Sequence, residues 1–351
     1  MVEIKEEQDL LNNDGRIVTP GYSTSMLQKY DRSKIKARKM RIKEWDYYLI
    51  HNKDYAVALT VADNSYMSLL SASVIRFNKK KEKTTSQMLW FTNGKVNQDI
   101  NGKHINMPSS SKTGDIIVST NKCIFTFTHE GDKRRLFCKM KDFENNNPLD
   151  IDIILEAEPR ESMVIATPFK EKKTAFYFNQ KIIGFKASGH AKVGNEKIIF
   201  DEKDSLGLLD WGRGVWTYKN TWYWGAGMQY INDKIFGFNI GYGFGDTSSA
   251  TENMLFYDGK AHKLEDVTFN IPKKDNKDDF MSPWTITSSD KRFEMTFTPI
   301  INRHSDTNAL IIRSNQNQVF GYFNGTAVLD DGTTLEIKDL LGFAEKVYNK
   351  W

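Results

Sequence analysis

The sequence predicts an all-β protein of antiparallel sheets, closed as barrels or stacked as a sandwich. Three observations carry this. Runs such as LDIDIILEA at 149–157, CIFTFT at 123–128 and RFEMTFT at 292–298 alternate apolar and polar residues with period two. Turn clusters such as Asn93-Gly94, Glu130-Gly131-Asp132, Asp258-Gly259 and Asp331-Gly332 separate the runs. Asn-Gly and Asp-Gly mark hairpins because both central residues of a type I′ turn need positive φ. Helical periodicity is confined to two short stretches, 25–30 and 340–348, so few short helices are expected.

The chain has 351 residues, 39% hydrophobic and 13% aromatic. That is enough for two domains with real cores, and it excludes general disorder. A boundary is expected where the charged stretch DEKD at 201–204 follows a turn, giving domains 1–200 and 201–351. The net charge of +4 is spread along the chain, so no nucleic-acid partner is expected. Lys79-Lys80-Lys81 reads as a solvated hairpin tip rather than a phosphate or membrane contact. No apolar run approaches the ~18 residues of a membrane helix. The acidic N-terminus lacks the pattern of a signal peptide, and a cytoplasmic location is expected. Cys123 and Cys138 are expected as free thiols. The six histidines have no metal-ligand spacing; His104 and His190 read as surface residues, and no metal or cofactor is expected.

Along the chain, the first chemically suggestive segment is IKEWDYYLI at 42–50. As a strand it places Glu44 and Asp46 on the face of Ile42, Tyr48 and Ile50. Carboxylates there belong either to a sheet margin or to a cavity, where desolvation makes them general acids. Next, residues 55–77 read as a hairpin turning at Asp63-Asn64-Ser65. Its small residues, among them Ala62, Ser68 and Ser71, leave volume for a ligand or for large neighbouring side chains. Tyr66 lies at its tip.

The stretch DWGRGVWTYKNTWYW at 210–224 holds four of the eight tryptophans, with Asp210 and Arg213 set among glycines. Residues 211–245 contain eleven aromatics and eight glycines. Glycine weakens a strand unless a bulky group or another backbone must come close. The interleaving therefore suggests strands curling round a lumen, with large rings packed over glycines, and makes Trp211, Trp216, Trp222, Trp224 and Tyr242 candidate ligand-binding residues. Asp210 and Arg213 form either a structural clamp or a ligand-orienting pair. In TENMLFY at 251–257, Glu252 shares an apolar face with Met254 and Phe256, and Asn253 completes the candidate set. No nucleophile elbow or Ser–His–Asp arrangement is present.

Several segments, including YAVALTVADNSYMSLLSAS, DSLGLLDWGRGVWTYKNTWYW, GYGFGDTSSATENMLFYDGKAHKL and LLGFAEKVYNKW, resemble a bacterial family of unassigned function, of the domain-of-unknown-function type. The resemblance runs from about residue 15 to the end. More distantly the chain resembles the lipocalin-like superfamily of carotenoid 1,2-hydratase (hydroxyneurosporene synthase), tocopherol cyclase and fungal pericyclases. That resemblance implies two consecutive lipocalin-like barrels or curved sheets with an apolar substrate in or between them. The hydratases carry Asp-His-x-Trp near the domain junction. Asp210-Trp211-Gly212 lies at a similar place, with tryptophan where histidine would be, so only Asp210 is carried over.

Three functions follow as expectations. The first is a cofactor-free hydratase, isomerase or cyclase acting on an apolar, isoprenoid or lipid-like molecule. In it Asp210, Glu252, Asp46 or Glu44 delivers a proton to a C=C bond, tryptophan faces shelter the cation, and Arg213 orients the acid or a head group. The second is a carrier using the same cavity without chemistry. The third is a carbohydrate-binding protein, which requires its tryptophans on an open face.

Overall fold

The computed structural model describes residues 1–309 and 312–350, the side chains of 309 and 312 excepted. Thirteen strands of the described residues form a first sheet. They are Gly21–Ser23 (β1), Ile42–His51 (β2), Tyr55–Asp63 (β3), Met67–Arg76 (β4), Lys81–Trp90 (β5), Ile116–Ser119 (β6) and Cys123–Glu130 (β7). Lys133–Glu144 (β8), Asn147–Glu156 (β9), Met163–Phe169 (β10), Lys172–Val193 (β11), Glu196–Phe200 (β12) and Leu206–Val215 (β13) complete it. Nine more form a second sheet: Lys219–Ile231 (β14), Lys234–Tyr242 (β15), Met254–Tyr257 (β16), Lys260–Lys263 (β17) and Val267–Asn270 (β18), then Trp284–Ser288 (β19), Phe293–Ala309 (β20), Ile312–Val328 (β21) and Thr334–Lys350 (β22).

The first sheet runs β6-β7-β8-β9-β11-β13-β2-β3-β4-β5, with β10 and β12 also on β11 and β1 on β10. The second runs β17-β16-β15-β14-β22-β21-β20-β19-β18. Each curls into a half-barrel. In the first, the two ends of the curl meet through side chains rather than a ladder. Thr85 Oγ1 donates to Phe143 O at 2.7 Å, Thr120 Oγ1 to Gln87 Oε1 at 2.9 Å, and Arg76 reaches Glu144 at 2.9 Å. The turns follow the sequence signals: Asp258 and Gly259, between β16 and β17, have φ of 54° and 74°.

Each half-barrel has its own interior. Val57, Leu59, Val61, Phe125, Leu136 and Ile151 fill the first, and Phe238, Trp284, Phe293, Phe297 and Phe323 the second. The outer faces of β2, β3, β11 and β13 then pack on those of β14, β21 and β22. Tyr47 meets Trp224 with ring centroids 6.0 Å apart. Among the described residues the chain passes between the sheets once, at 216–218, inside the aromatic stretch. Residues 200/201, where the sequence places the boundary, lie at the turn between β12 and β13, both strands of the first sheet.

The two helix-like stretches are not helices. Residues 340–348 lie in the middle of the 17-residue β22. Leu340 and Ala344 face the second interior, while Leu341, Phe343 and Val347 face the first sheet, so both faces are buried. A strand buried on both faces reads as a continuous apolar run, which period alone does not separate from a helix. In 25–30, Gln28–Lys29 instead pairs in parallel with Gln8–Asp9. Among the described residues the helical elements are three short 3₁₀ turns, and no helix is long and apolar enough to cross a membrane. Cys123 and Cys138 are free and buried.

Glycine meets ring as expected at Gly212, where a Cβ would lie 1.9 Å from Trp45 Cζ2. Gly212→Val is therefore expected to overpack the interface and cost about 1–3 kcal/mol, read as a lower urea midpoint with unchanged m value.

Candidate functional site

A cavity of about 270 Å³ lies between the sheets. Alternation along each strand decides which side chains reach it. On β13, Asp210 points into the cavity, whereas Trp211, Arg213 and Val215 point into the first half-barrel. On β2, Trp45 and Tyr47 face the cavity and Glu44, Asp46 and Tyr48 the interior.

Two cross-strand rows oppose each other across it. In the first sheet, Lys181, Asp210, Tyr47, Thr60 and Ser71 are successive register partners on β11, β13, β2, β3 and β4. In the second, Arg303, Gln318, Glu345, Trp224 and Gly241 form the matching row on β20, β21, β22, β14 and β15. Lys181 Nζ lies 2.8 Å from Asp210 Oδ1, which also accepts from Asn179 Nδ2 at 2.7 Å. The same ammonium stands 3.8 Å over the Trp224 ring, so the two rows touch there. Arg303 Nη1 donates to Gln318 Oε1 at 2.8 Å, which turns the Gln318 amide N–H toward Glu345 Oε2, 3.0 Å away. Trp222 Nε1 donates to the other Glu345 oxygen at 3.1 Å.

Glu252 enters from the segment before β16. Its Oε1 occupies the space a side chain at Gly241 would need, since a Cβ there would lie 2.7 Å away. Asn239 Nδ2 donates to Glu252 O at 2.8 Å and to Oε2 at 3.3 Å, while Asn239 Oδ1 accepts from Trp224 Nε1 at 2.7 Å. Burial raises the carboxyl of Glu252 above the usual range. It lifts Glu345 to about 7, although the N–H donors and Lys181 pull the other way. Among the described residues, neither Glu252 nor Glu345 has a Lys or Arg nitrogen within 4.0 Å. Trp45, Tyr177, Trp216, Trp222 and Phe244 make the apolar wall, with Trp216 and Phe244 edge-to-face at 4.8 Å.

Of the residues singled out in the sequence, Asp210, Glu252, Trp216, Trp222 and Trp224 converge on this cavity. The others lie elsewhere. Asp46 pairs with Arg213 at 3.0 Å inside the first half-barrel, and burial raises its carboxyl. Arg213 also donates to Trp45 O and Pro108 O, both at 2.8 Å, and its guanidinium lies 4.2 Å over the Trp211 ring. The expected Asp210–Arg213 pairing is thus replaced by two pairs, Asp210–Lys181 and Asp46–Arg213. Residues three apart on a strand face opposite sides. Glu44 is bound by Tyr30 Oη at 2.7 Å and by Arg32. Tyr66 lies under Lys43 Nζ at 4.3 Å, Tyr242 stacks on Tyr223 at 4.4 Å, and Asn253 bonds Gly241 N and Glu265 O. These three are outside the lining.

Sequence reasoning missed Lys181, Glu345 and Arg303. Glu345 carries the same signal as Glu252, an isolated acid on the apolar face Leu341, Phe343, Val347. It was hidden by the helical reading of its segment. Among the described residues, no three His, Cys, Asp or Glu side chains are grouped to share a metal ion.

A family model matches residues 1–351. The chain belongs to the family described as a domain of unknown function (DUF2804). No curated protein matches it. Among solved structures, this DUF2804 chain is similar to kievitone hydratase from Nectria haematococca, at 12% identity over 88% of each chain with TM-score 0.50. It is also similar to an AttH-like protein from Nitrosomonas europaea, at 11% identity over 91% of this chain and 96% of the other, with TM-score 0.55. At such identity the likeness is one of fold: two consecutive lipocalin-like curled sheets, as the distant hydratase and cyclase resemblance implied.

Two outcomes test these assignments. In double-mutant cycles followed by urea unfolding, Asp46→Asn and Arg213→Met are expected to couple by about 1–3 kcal/mol. Asp210→Asn and Arg213→Met are expected to add within about 0.5 kcal/mol. Glu345 sets a pH dependence. Between the ordinary carboxyl value of 4.5 and about 7, the folded chain keeps a proton that the unfolded chain releases. Its contribution is therefore full below about 4.5 and is lost as pH rises toward about 7, by on the order of 3 kcal/mol. The difference between wild type and Glu345→Gln in urea melts across that window measures it.

Proposed function

We propose that the protein binds an apolar small molecule between its two sheets and acts on a C=C bond as a cofactor-free hydratase, isomerase or cyclase. The observation that carries this is the meeting of Glu345 and Glu252, held by N–H donors and free of cation partners among the described residues, with a wall of five aromatic rings. A carboxyl whose proton affinity lies near neutral pH is suited to general acid catalysis. Glu345 or Glu252 is the donor in this reading. Asp210 holds the Lys181 ammonium in place instead of donating a proton itself.

In hydration, the carboxyl proton goes to one alkene carbon and a water oxygen to the other. The second proton of that water then returns to the carboxylate, so the acid is regenerated. The aromatic wall supports a lipophilic ligand: Tyr177 and Phe244 are buried and Trp45, Trp216 and Trp222 half-buried between the sheets, rather than spread on an open sheet face. The cation-sheltering role falls to Trp45, Trp216 and Trp222, because the faces of Trp211 and Trp224 already carry Arg213 and Lys181.

Mass spectrometry of a solvent extract of the purified protein, against a mock purification, is expected to yield an apolar molecule. With that molecule as substrate, Glu345→Gln or Glu252→Gln is expected to lower kcat by about 10²–10⁴-fold. Unchanged turnover in both would remove the acid role. An extracted ligand that the protein leaves unaltered would point to a carrier.

A further inference from the structure

Arg303 is the cation of the cavity wall that the proposed chemistry leaves unused. Lys181 is matched by Asp210, but among the described residues no carboxylate lies within 4.0 Å of the Arg303 guanidinium. Two of its nitrogens are engaged: Nε donates to Thr84 Oγ1 at 3.2 Å, and Nη1 donates to Gln318 Oε1. Both contacts leave Nη2 without an acceptor among the described residues. Fixed at two points, the planar fork is pre-organised and presents its third nitrogen.

Hydroxyls gather opposite. Tyr47, 8% exposed, places its hydroxyl beside Arg303 and Gln318 without a hydrogen bond of standard geometry. Thr60 and Ser71 follow in the same row and line the cavity. Ser86 Oγ donates to Ser71 Oγ at 2.9 Å, which leaves the Ser71 proton for another acceptor. A guanidinium nitrogen facing hydroxyl donors across the cavity suits an oxyanion at one end of an apolar body.

We propose that the ligand is an amphiphile with a carboxylate head group, and that Arg303 holds this group with the hydroxyls of Tyr47 and Ser71. The proposal rests on the reading of the cavity as an apolar-ligand site and names the ligand class within it. The cavity of about 270 Å³, at about 30 Å³ for each water-sized group, takes about nine such groups, a head group and a body of roughly six or seven carbons, with the end of a longer chain toward its open side. The carboxylate lies at the Arg303 end of the row and the body runs toward Trp222 and Phe244. Glu345 sits next to Gln318, between the two. An anion on Arg303 also disfavours ionisation of Glu345, so head-group binding and the acid role reinforce each other.

The test is calorimetric titration of the full chain with decanoate and with decanol at neutral pH. Decanoate is expected to bind at least about tenfold more tightly. Arg303→Gln is expected to abolish that preference while leaving decanol affinity unchanged, which also reports an intact cavity. Arg303→Lys, which keeps the charge, is expected to retain part of the preference. Equal affinities in the wild type, or a preference that survives Arg303→Gln, would overturn the carboxylate proposal and leave the apolar-ligand reading standing. Failure of both probes to bind would overturn that reading together with the proposal.

Discussion

Strands that bury both faces have no solvent side on which to place charge. In this protein that constraint shapes the site. β2, β3, β11, β13, β14, β21 and β22 each put one face into a half-barrel and the other against the opposite sheet. Any ionisable group on the second face must find a partner there or change its proton affinity. Lys181 and Asp210 take the first course, as direct register partners 2.8 Å apart. Glu345 and Glu252 take the second, with N–H donors on their oxygens and no cation in reach among the described residues. One interface thus holds both an ion pair and two carboxyls whose proton affinity burial has raised.

The same alternation separates two kinds of buried acid. Asp46 and Glu44 look like Asp210 in the sequence, each an acid amid apolar and aromatic residues. They belong to a packed interior where Arg213, Arg32 and Tyr30 satisfy them. Asp46–Arg213 braces the first half-barrel, and removing either partner alone leaves a buried charge uncompensated. Glu252, by contrast, owes its position to an absence: Gly241 gives up the space its carboxyl occupies.

The all-β class and its hairpins were legible because period-two alternation and Asn-Gly or Asp-Gly turns are local signals. The hairpin at Asp63-Asn64-Ser65 followed from the alternation on either side of it, whereas the ring over Gly212 comes from Trp45, outside the glycine-rich stretch. Within the site, Asp210 and Glu252 stood out as acids on apolar faces, and Trp216, Trp222 and Trp224 as concentrated aromatic surface. Pairing was not legible. Asp210 and Lys181 are far apart in sequence and meet through the β11–β13 register. Nothing within 210–213 indicates that its two charges face opposite ways except strand geometry itself. Glu345 was lost because a doubly buried strand lacks the polar face that identifies strands by period.

Among the described residues the two sheets are joined by one covalent crossing, at 216–218, and Trp216 in that crossing is also part of the cavity wall. The second half-barrel keeps an interior of its own, while the core of the first continues across the interface to Trp224, Phe320, Leu341 and Phe343. The link between the sheets thus doubles as one side of the cavity. A change of side chain at Trp216 would therefore alter the cavity and the link between the sheets at once.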